Sequence, residues 1–129
     1  MADLAATRGF LGAPGSAFSF GYRQDTNGKL NLTRQNAVDY QSTAGPAAGV
    51  WAQVDVVWDG STISHFLNGV ANGTNALSTA ASASISSVGR CINAVMKGRI
   101  GEILYFSRAL SPAERQQVQS YLSAKWGTS

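Results

Sequence analysis

Charge is what this chain has least of. Of its 129 residues only 13% are Asp, Glu, Lys or Arg, against 44% hydrophobic, so a polar surface has to be built from Ser, Thr, Asn, Gln and Gly. A single cysteine, Cys91, excludes an intrachain disulfide and a Cys-x-x-Cys metal site. Beside Ile92 and Val95 it reads as a small buried hydrophobe. One histidine, His65, provides no cluster for a metal ion, and no Asp-rich loop of the EF-hand kind occurs. In a strand, His65 reads as a core or edge-paired residue. Gly-x-Ser-x-Gly, P-loop and dinucleotide fingerprints are all missing, so neither metal nor cofactor is expected.

The net charge is +3, but only Arg90, Lys97 and Arg99 lie near one another, with Cys91–Met96 between them. A nucleic-acid binder shows a denser basic stripe interleaved with aromatics, so nucleic acid is not an expected partner. Met1–Phe10 lacks a basic region followed by an apolar run, and no segment is long enough to span a bilayer. Neither a secretory leader nor membrane insertion is therefore expected, and the sequons at Asn31 and Asn72 read as accidental.

What is present is β-structure. Fourteen glycines and aromatic or β-branched residues along the whole chain suit an all-β domain with many tight turns. In 17–23, Phe18, Phe20 and Tyr22 alternate with Ser19, Gly21 and Arg23, the period of a half-buried strand. Asp25–Gly28 is a turn, 29–34 returns with Leu30 and Leu32 on one face, and Val38 and Tyr40 sit in a third short strand. Residues 42–49 form a loop by their Gly and Pro content. Trp51–Trp58 and Thr62–Asn68, joined at Asp59-Gly60, are the strongest hairpin signal. An even-numbered loop puts His65 on the apolar face with Val54 and Val56; a three-residue loop puts Phe66 opposite Val54 instead. The even loop is favoured, and in it Trp51 faces away from Val54 and Val56.

Further turns are expected at Asn68-Gly69 and Asn72-Gly73, a thin strand through Ala81, Ala83 and Ile85, another in 89–96, and a clear strand in Arg99–Ser107. The ending is helical, over about 112–126. Ser111 and Glu114 form a capping box, Pro112 occupies the first helical position, and Val118, Tyr121, Leu122 and Trp126 make one apolar stripe. Gly127 supplies a left-handed stop. The helix is expected to lie as a lid on a sandwich, with Trp126 in the core.

The run from Lys97 to Arg115, with Gly101-Glu102-Ile103, Arg108-Ala109-Leu110-Ser111 and Ala113-Glu114-Arg115, resembles the closing motif of laminin-G-like domains in the concanavalin A-like lectin/glucanase superfamily. Tyr121-Leu122 and Lys125-Trp126-Gly127 continue it, and Trp51, Asp59-Gly60 and Asn68-Gly69 match that family's central hairpin. The resemblance implies an antiparallel β-sandwich of the jelly-roll kind with one C-terminal helix, in a domain taken as 17–129. Residues 1–16 read as an N-terminal arm or partner-contacting segment, because family members usually carry further strands there. An open sheet edge invites pairing, so the chain is expected to be a homo-oligomer or to dock on a larger assembly through that edge.

Chemistry is sparse. A glycosidase of this superfamily would carry paired carboxylates on one strand, whereas this chain has two glutamates, of which Glu114 is a helix cap and Glu102 stands alone. Asp59 belongs to a turn, and no pair is placed for acid–base work, so no enzymatic activity and no catalytic residue is expected. Some laminin-G-like domains hold calcium at a loop rim, for which Asp25, Asn27 and Asp39 are the candidates. Carbohydrate binding needs an exposed aromatic platform beside amides; Trp51 is the first choice, with Tyr40, Gln53 and Asn68 as neighbours, and Trp58, Tyr22 and Asn36 behind them. The expected function is a non-enzymatic structural or decoration subunit of a bacteriophage virion, assembled in the host cytoplasm, that also contacts surface glycans. A carbohydrate-binding lectin module is the alternative, and a glycosidase remnant comes third.

Overall fold

The computed structural model describes residues 8–12, 20–34, 38–78, 85–91 and 94–128. Ten strands and one helix follow in order: β1 (Arg8–Gly12), β2 (Phe20–Gln24), β3 (Leu30–Arg34), β4 (Val38–Gln41), β5 (Val54–Trp58), β6 (Thr62–Leu67), β7 (Val70–Ala76), β8 (Ser87–Val88), β9 (Arg90–Cys91), β10 (Ala94–Val95) and α1 (Pro112–Trp126). One antiparallel sheet has the order β4-β3-β2-β1-β8, a second β5-β6-β7, and β9 and β10 form a small hairpin. The expected all-β architecture with one C-terminal helix is present, and the helix bounds coincide with those read from the capping box.

Residues 8–12 correct the reading of 1–16 as an arm. Arg8 and Gly9 pair with Gln24 and Arg23, and Leu11 with Tyr22, so β1 is an interior strand of the larger sheet. Gly9 and Gly12 make this possible: a Cβ on Gly9 would overlap the backbone of Cys91 and Ala94, and one on Gly12 would lie 3.0 Å from Cys91 Cα. Phe18 and most of the Ala81–Ile85 strand lie outside the described residues.

The two sheets face each other around a small core. Ile63 and Leu77 are its buried centre, with Leu32, Tyr40, Val56 and Trp58 packed against them. Trp58 Nε1 donates to the Leu77 carbonyl at 2.9 Å, which satisfies its only polar group inside this layer. Between β2 and β6 the rings of Tyr22 and His65 stack at 6.2 Å.

Turn chemistry sets the registers. Gly28, at φ 81°, closes a three-residue β2–β3 loop in which Asp25 and Lys29 still pair. In the central hairpin Val56 pairs with His65 and Trp58 with Ile63. The parity is the even one, with His65 on the apolar face, but each pairing is shifted by two residues and the turn lies one residue beyond Asp59-Gly60. Asp59 Oδ1 accepts from the backbone N–H of Ser61 and Thr62 at 2.9 and 2.8 Å, so Asp59 closes the ladder and Gly60-Ser61 form the loop. Asn68 (φ 50°) and Gly69 (φ 79°) make the tight turn into β7.

Asn72-Gly73 is not a turn. It sits inside β7 where the pairing with β6 slips between Ser64 and Phe66, a bulge. Asn72 is turned there to the 42–46 loop: its Nδ2 donates to the Ala44 carbonyl at 2.8 Å and its Oδ1 accepts from Ala44 N–H at 2.9 Å. With Asn75 Nδ2 donating to the Gln41 carbonyl at 3.1 Å, these bonds tie the β7 edge of one sheet to the β4 edge of the other.

The largest correction concerns Arg99–Ser107, expected to be a clear strand. Residues 99–106 run without a bend or turn, yet belong to no ladder among the described residues. Ile100, Ile103, Leu104, Tyr105 and Phe106 stand exposed on it. Alternation makes a segment ready to be a strand, but a strand exists only where another donates and accepts its backbone hydrogen bonds.

Candidate functional site

The side chains with chemical potential gather in two places: around α1 on the outer face of the smaller sheet, and between the sheets. Helix α1 begins as expected. Ser111 Oγ accepts from Glu114 N–H at 3.3 Å while Glu114 Oε2 accepts from Ser111 N–H at 2.9 Å. Arg108 donates to both carboxylate oxygens of Glu114, at 2.8 and 2.6 Å, and this guanidinium holds the carboxyl down to about 2. Glu114 is thus fixed as an anion and reserved for the helix start.

Side-chain contacts lay the helix over the β5–β6 hairpin. The Arg115 guanidinium sits 3.6 Å above the Phe66 ring, a cation–π contact. A Cβ on Gly69 would meet Gln119 at 2.8 Å, and the Trp126 and Trp51 rings lie 5.3 Å apart. The apolar stripe is only half buried: Trp126 is partly covered rather than in the core, and Tyr121 is exposed. The neighbour over this end of the helix is the unpaired 99–106 segment, which is no broad sheet surface.

Glu102, which stood alone in the sequence, is the hub of that contact. It accepts from Trp126 Nε1 at 3.0 Å, from Tyr121 OH at 3.0 Å and from Lys125 Nζ at 2.9 Å. The indole N–H first, then the ammonium, hold its carboxyl below the usual carboxylate range. Position 101 faces the same ring, where a Cβ would come to 3.0 Å of the indole, so glycine lets the ring approach this closely without giving way. The signal was latent in the sequence, since positions 121 and 125 lie one turn apart on the helix.

The carbohydrate candidates are partly brought together. Trp51 is 43% exposed, its indole tilted against Trp126. Gln53 is buried, and its Nε2 donates to both oxygens of Asp55 at 3.0 and 3.1 Å. Asn68 and Gln53 face each other across the hairpin: Gln53 N–H donates to Asn68 Oδ1, and Asn68 N–H to the Gln53 carbonyl, each at 2.9 Å. Trp51, Gln53 and Asn68 are therefore neighbours at one end of the smaller sheet. Tyr40 lies in β4 of the other sheet, against the Ile63–Leu77 core.

Between the sheets, Tyr22 and His65 form a buried polar pair, while Asp55, which pairs with Phe66, lies on the opposite face of β5 from Val56. Burial, with the Asp55 charge second, pushes the Tyr22 hydroxyl well above its ordinary value. Burial lowers His65, the Tyr40 backbone acting weakly the other way. Neither ring nitrogen of His65 nor the Tyr22 hydroxyl has a hydrogen-bond partner among the described residues. Burial also raises Asp55, against the opposing effects of Gln53 and of the Arg115 charge. A neutral histidine and an un-ionised tyrosine stacked in a core suit packing rather than proton transfer.

The loop-rim residues are engaged with one another. Arg23 pairs with Asp25 at 3.0 Å and with Asp39 at 3.1 Å. Asp25 also accepts from Asn31 and Asp39 from Thr33, while Asn27 Oδ1 accepts from Lys29 N–H at 3.0 Å. No group of three or more His, Cys, Asp or Glu that could hold a metal ion occurs among the described residues. Cys91 is fully buried, and burial pushes its thiol up, the opposite of what a nucleophile needs. Within the described residues no helix is long and apolar enough to cross a membrane.

This two-sheet arrangement agrees with the comparison to protein families. The model of the concanavalin A-like lectin/glucanases superfamily named Laminin_G_3 matches residues 2–114. The chain belongs to this superfamily. The match begins ahead of β1 and takes in the closing motif as far as Glu114. None of the curated proteins matches. Among solved structures, the chain is similar to residues 221–444 of an S-layer domain-containing protein from Clostridium thermocellum, at 22% identity and a TM-score of 0.44, covering 92% of this chain and 65% of that one. The chain thus spans just under two thirds of that structure's length.

Proposed function

We propose that this chain is a non-catalytic, lectin-fold structural subunit of a larger assembly, of the decoration or fibre type found in bacteriophage virions, and that it docks through an open sheet edge. The observation that carries this reading is the apolar segment at 99–106, which joins no sheet among the described residues and on which five large hydrophobic side chains stand exposed beside a sparsely charged surface. A free-standing soluble domain rarely leaves such a stretch bare.

The carboxylates support the absence of catalysis. Glu102 and Glu114 are tied to α1, Asp25 and Asp39 to Arg23, Asp55 to Gln53 and Asp59 to its turn. Among the described residues none is left as a free acid or base beside a second carboxylate, which glycoside hydrolysis requires. Assembly in a host cytoplasm, and a place in the virion, belong to this reading.

A second reading rests on Trp51, whose half-exposed indole is braced by Trp126 beside Gln53 and Asn68. A braced ring loses little entropy on stacking against a sugar face, and surface-glycan contact fits either a virion subunit or a lectin module. Glycan-array binding combined with sedimentation separates the two. An oligomer without turnover of any glycan supports the structural subunit, and one that binds sugar through Trp51 adds glycan contact to it. A monomer with glycan affinity lost in Trp51→Ala overturns it in favour of the lectin.

A further inference from the structure

Asparagine is followed by glycine at three places in this chain, Asn27-Gly28, Asn68-Gly69 and Asn72-Gly73. In such a pair the backbone nitrogen of the glycine can attack the asparagine Cγ, since no glycine side chain hinders the approach. A bond forms between that nitrogen and Cγ, the Cγ–Nδ2 bond breaks, and a five-membered succinimide results. The glycine N–H proton passes through solvent to the departing nitrogen, which leaves as ammonia. Water then opens the ring at either carbonyl, giving aspartate or isoaspartate. Water is the only co-reactant. The reacting atoms meet only if the Asn–Gly peptide rotates towards the side chain, so a fold that pins this peptide suppresses the step.

The three pairs are held very differently. Asn72 is buried in the β7 bulge with both ends of its side-chain amide bonded to Ala44, and a Cβ on Gly73 would come to 3.0 Å of Thr43 Oγ1. Asn68 is fixed through backbone and side chain alike: its N–H donates to the Gln53 carbonyl and its Oδ1 accepts from Gln53 N–H, each at 2.9 Å. Gly69 after it lies under Gln119, whose Cγ would be 2.8 Å from a Cβ there. Asn27 is exposed, and a Cβ on Gly28 would meet nothing within 4 Å among the described residues. Its Oδ1 accepts from Lys29 N–H at 3.0 Å, and Gly28 N–H donates to the Asp25 carbonyl at 2.9 Å. Both bonds are made within the β2–β3 loop, so breaking them disturbs no other element. The Lys29 N–H also draws electrons from the Asn27 carboxamide, which favours attack at its Cγ.

We infer that Asn27 is a site of spontaneous modification, converted to aspartate and isoaspartate in the folded protein while the fold protects Asn68 and Asn72. This stands independently of the assembly and glycan readings. The product places a new carboxylate two residues from Asp25, at a rim where Arg23 already serves both Asp25 and Asp39. Two carboxylates share one guanidinium there, and a third is left to the solvent. Aspartate keeps the length of the loop. Isoaspartate routes the main chain through the side-chain methylene and lengthens the loop at the Gly28–Asp25 turn bond. In the unfolded chain none of these restraints exists, so all three asparagines react there.

Incubation of the full chain in mildly alkaline buffer, with and without denaturing guanidinium chloride, tests this. Peptide mass spectrometry follows the gain of one mass unit, with fragmentation to separate Asn68 from Asn72. In the native protein Asn27 should convert about tenfold or more faster than either of the others. In denaturant the three should approach a common rate, Asn68 and Asn72 having accelerated and Asn27 having changed little. Ion exchange should show a more acidic form growing in from the wild type. Asn27→Gln, exposed and so expected to fold, should not produce it, because glutamine has to close a slower six-membered ring; circular dichroism checks the fold. An acidic form that still grows in from Asn27→Gln at the wild-type rate overturns the assignment. So does native conversion that is fastest at Asn68 or Asn72, or equal at all three. An Asn27 that reacts in denaturant but not in the native protein shows that the loop is held closed, and overturns it as well.

Discussion

Replacing Gly21 by alanine places one methyl group where the sulfur of Cys91 already lies. A Cβ at position 21 would overlap Cys91 Sγ and come to 3.0 Å of the Leu11 carbonyl oxygen. Neither neighbour yields easily: Cys91 is fully buried, and Leu11 is held in β1 by Tyr22 and Val88. Overpacking of this kind costs about 1–3 kcal/mol. For a chain of this length that is a fall in Tm of about 3–5 °C per kcal/mol. Cys91→Ala alone removes the sulfur and leaves a small void, at a cost of about 1–2 kcal/mol. In the double variant the new methyl enters the space the sulfur left, so the pair should be about 1–2 kcal/mol more stable than the sum of the two losses. The contact with Leu11 remains and keeps part of the penalty. Urea unfolding of the four proteins, with unchanged m values, measures this coupling. If the two losses add to within about 0.5 kcal/mol, glycine at 21 is not there to admit Cys91, and the packing argument is wrong.

Two further predictions concern the helix and the core. Ser111→Ala removes the acceptor for Glu114 N–H and should lower stability by about 0.5–2 kcal/mol in urea unfolding, whereas Ser120→Ala, exposed in mid-helix, should change it little. His65 has a folded pKa below its ordinary 6.5. Above pH 6.5 the histidine is neutral in both states and adds no pH dependence; below it the unfolded chain takes up a proton that the folded chain resists, so stability falls with pH by at most about 1.4 kcal/mol per unit. The stability curves of the wild type and His65→Leu should therefore run parallel above pH 6.5 and converge or cross below it as the wild type loses ground. Curves parallel down to pH 5 would show that His65 titrates alike in both states.

Local chemistry was legible in the sequence because it acts over a few residues. Ser111, Pro112, Glu114 and Gly127 specify where α1 starts and stops whatever it packs against, and the structure has the helix at those bounds. Asn68-Gly69, Asp25–Gly28 and the apolar alternation around Ile63 and His65 worked the same way. Where two nearby devices competed, local reading slipped: the Asp59 side chain moved the turn to Gly60-Ser61 by capping two backbone N–H groups, and Asn72-Gly73, with a turn's composition, became a bulge because Ala44 of the other sheet takes up Asn72.

By itself, then, the sequence determined the fold class, the terminal helix, the even parity that buries His65 and the glycines on which close approaches depend, since each follows from short-range sterics and periodicity. Only the tertiary structure decided which potential strands found partners. Arg8–Gly12, glycine-bearing and unpromising as a strand, lies inside the larger sheet because β2 and β8 flank it. Residues 99–106, with the better alternation, find no strand partner among the described residues. Ladder hydrogen bonds are made between segments far apart in the chain, so no pattern within one segment can reveal whether its edges are satisfied.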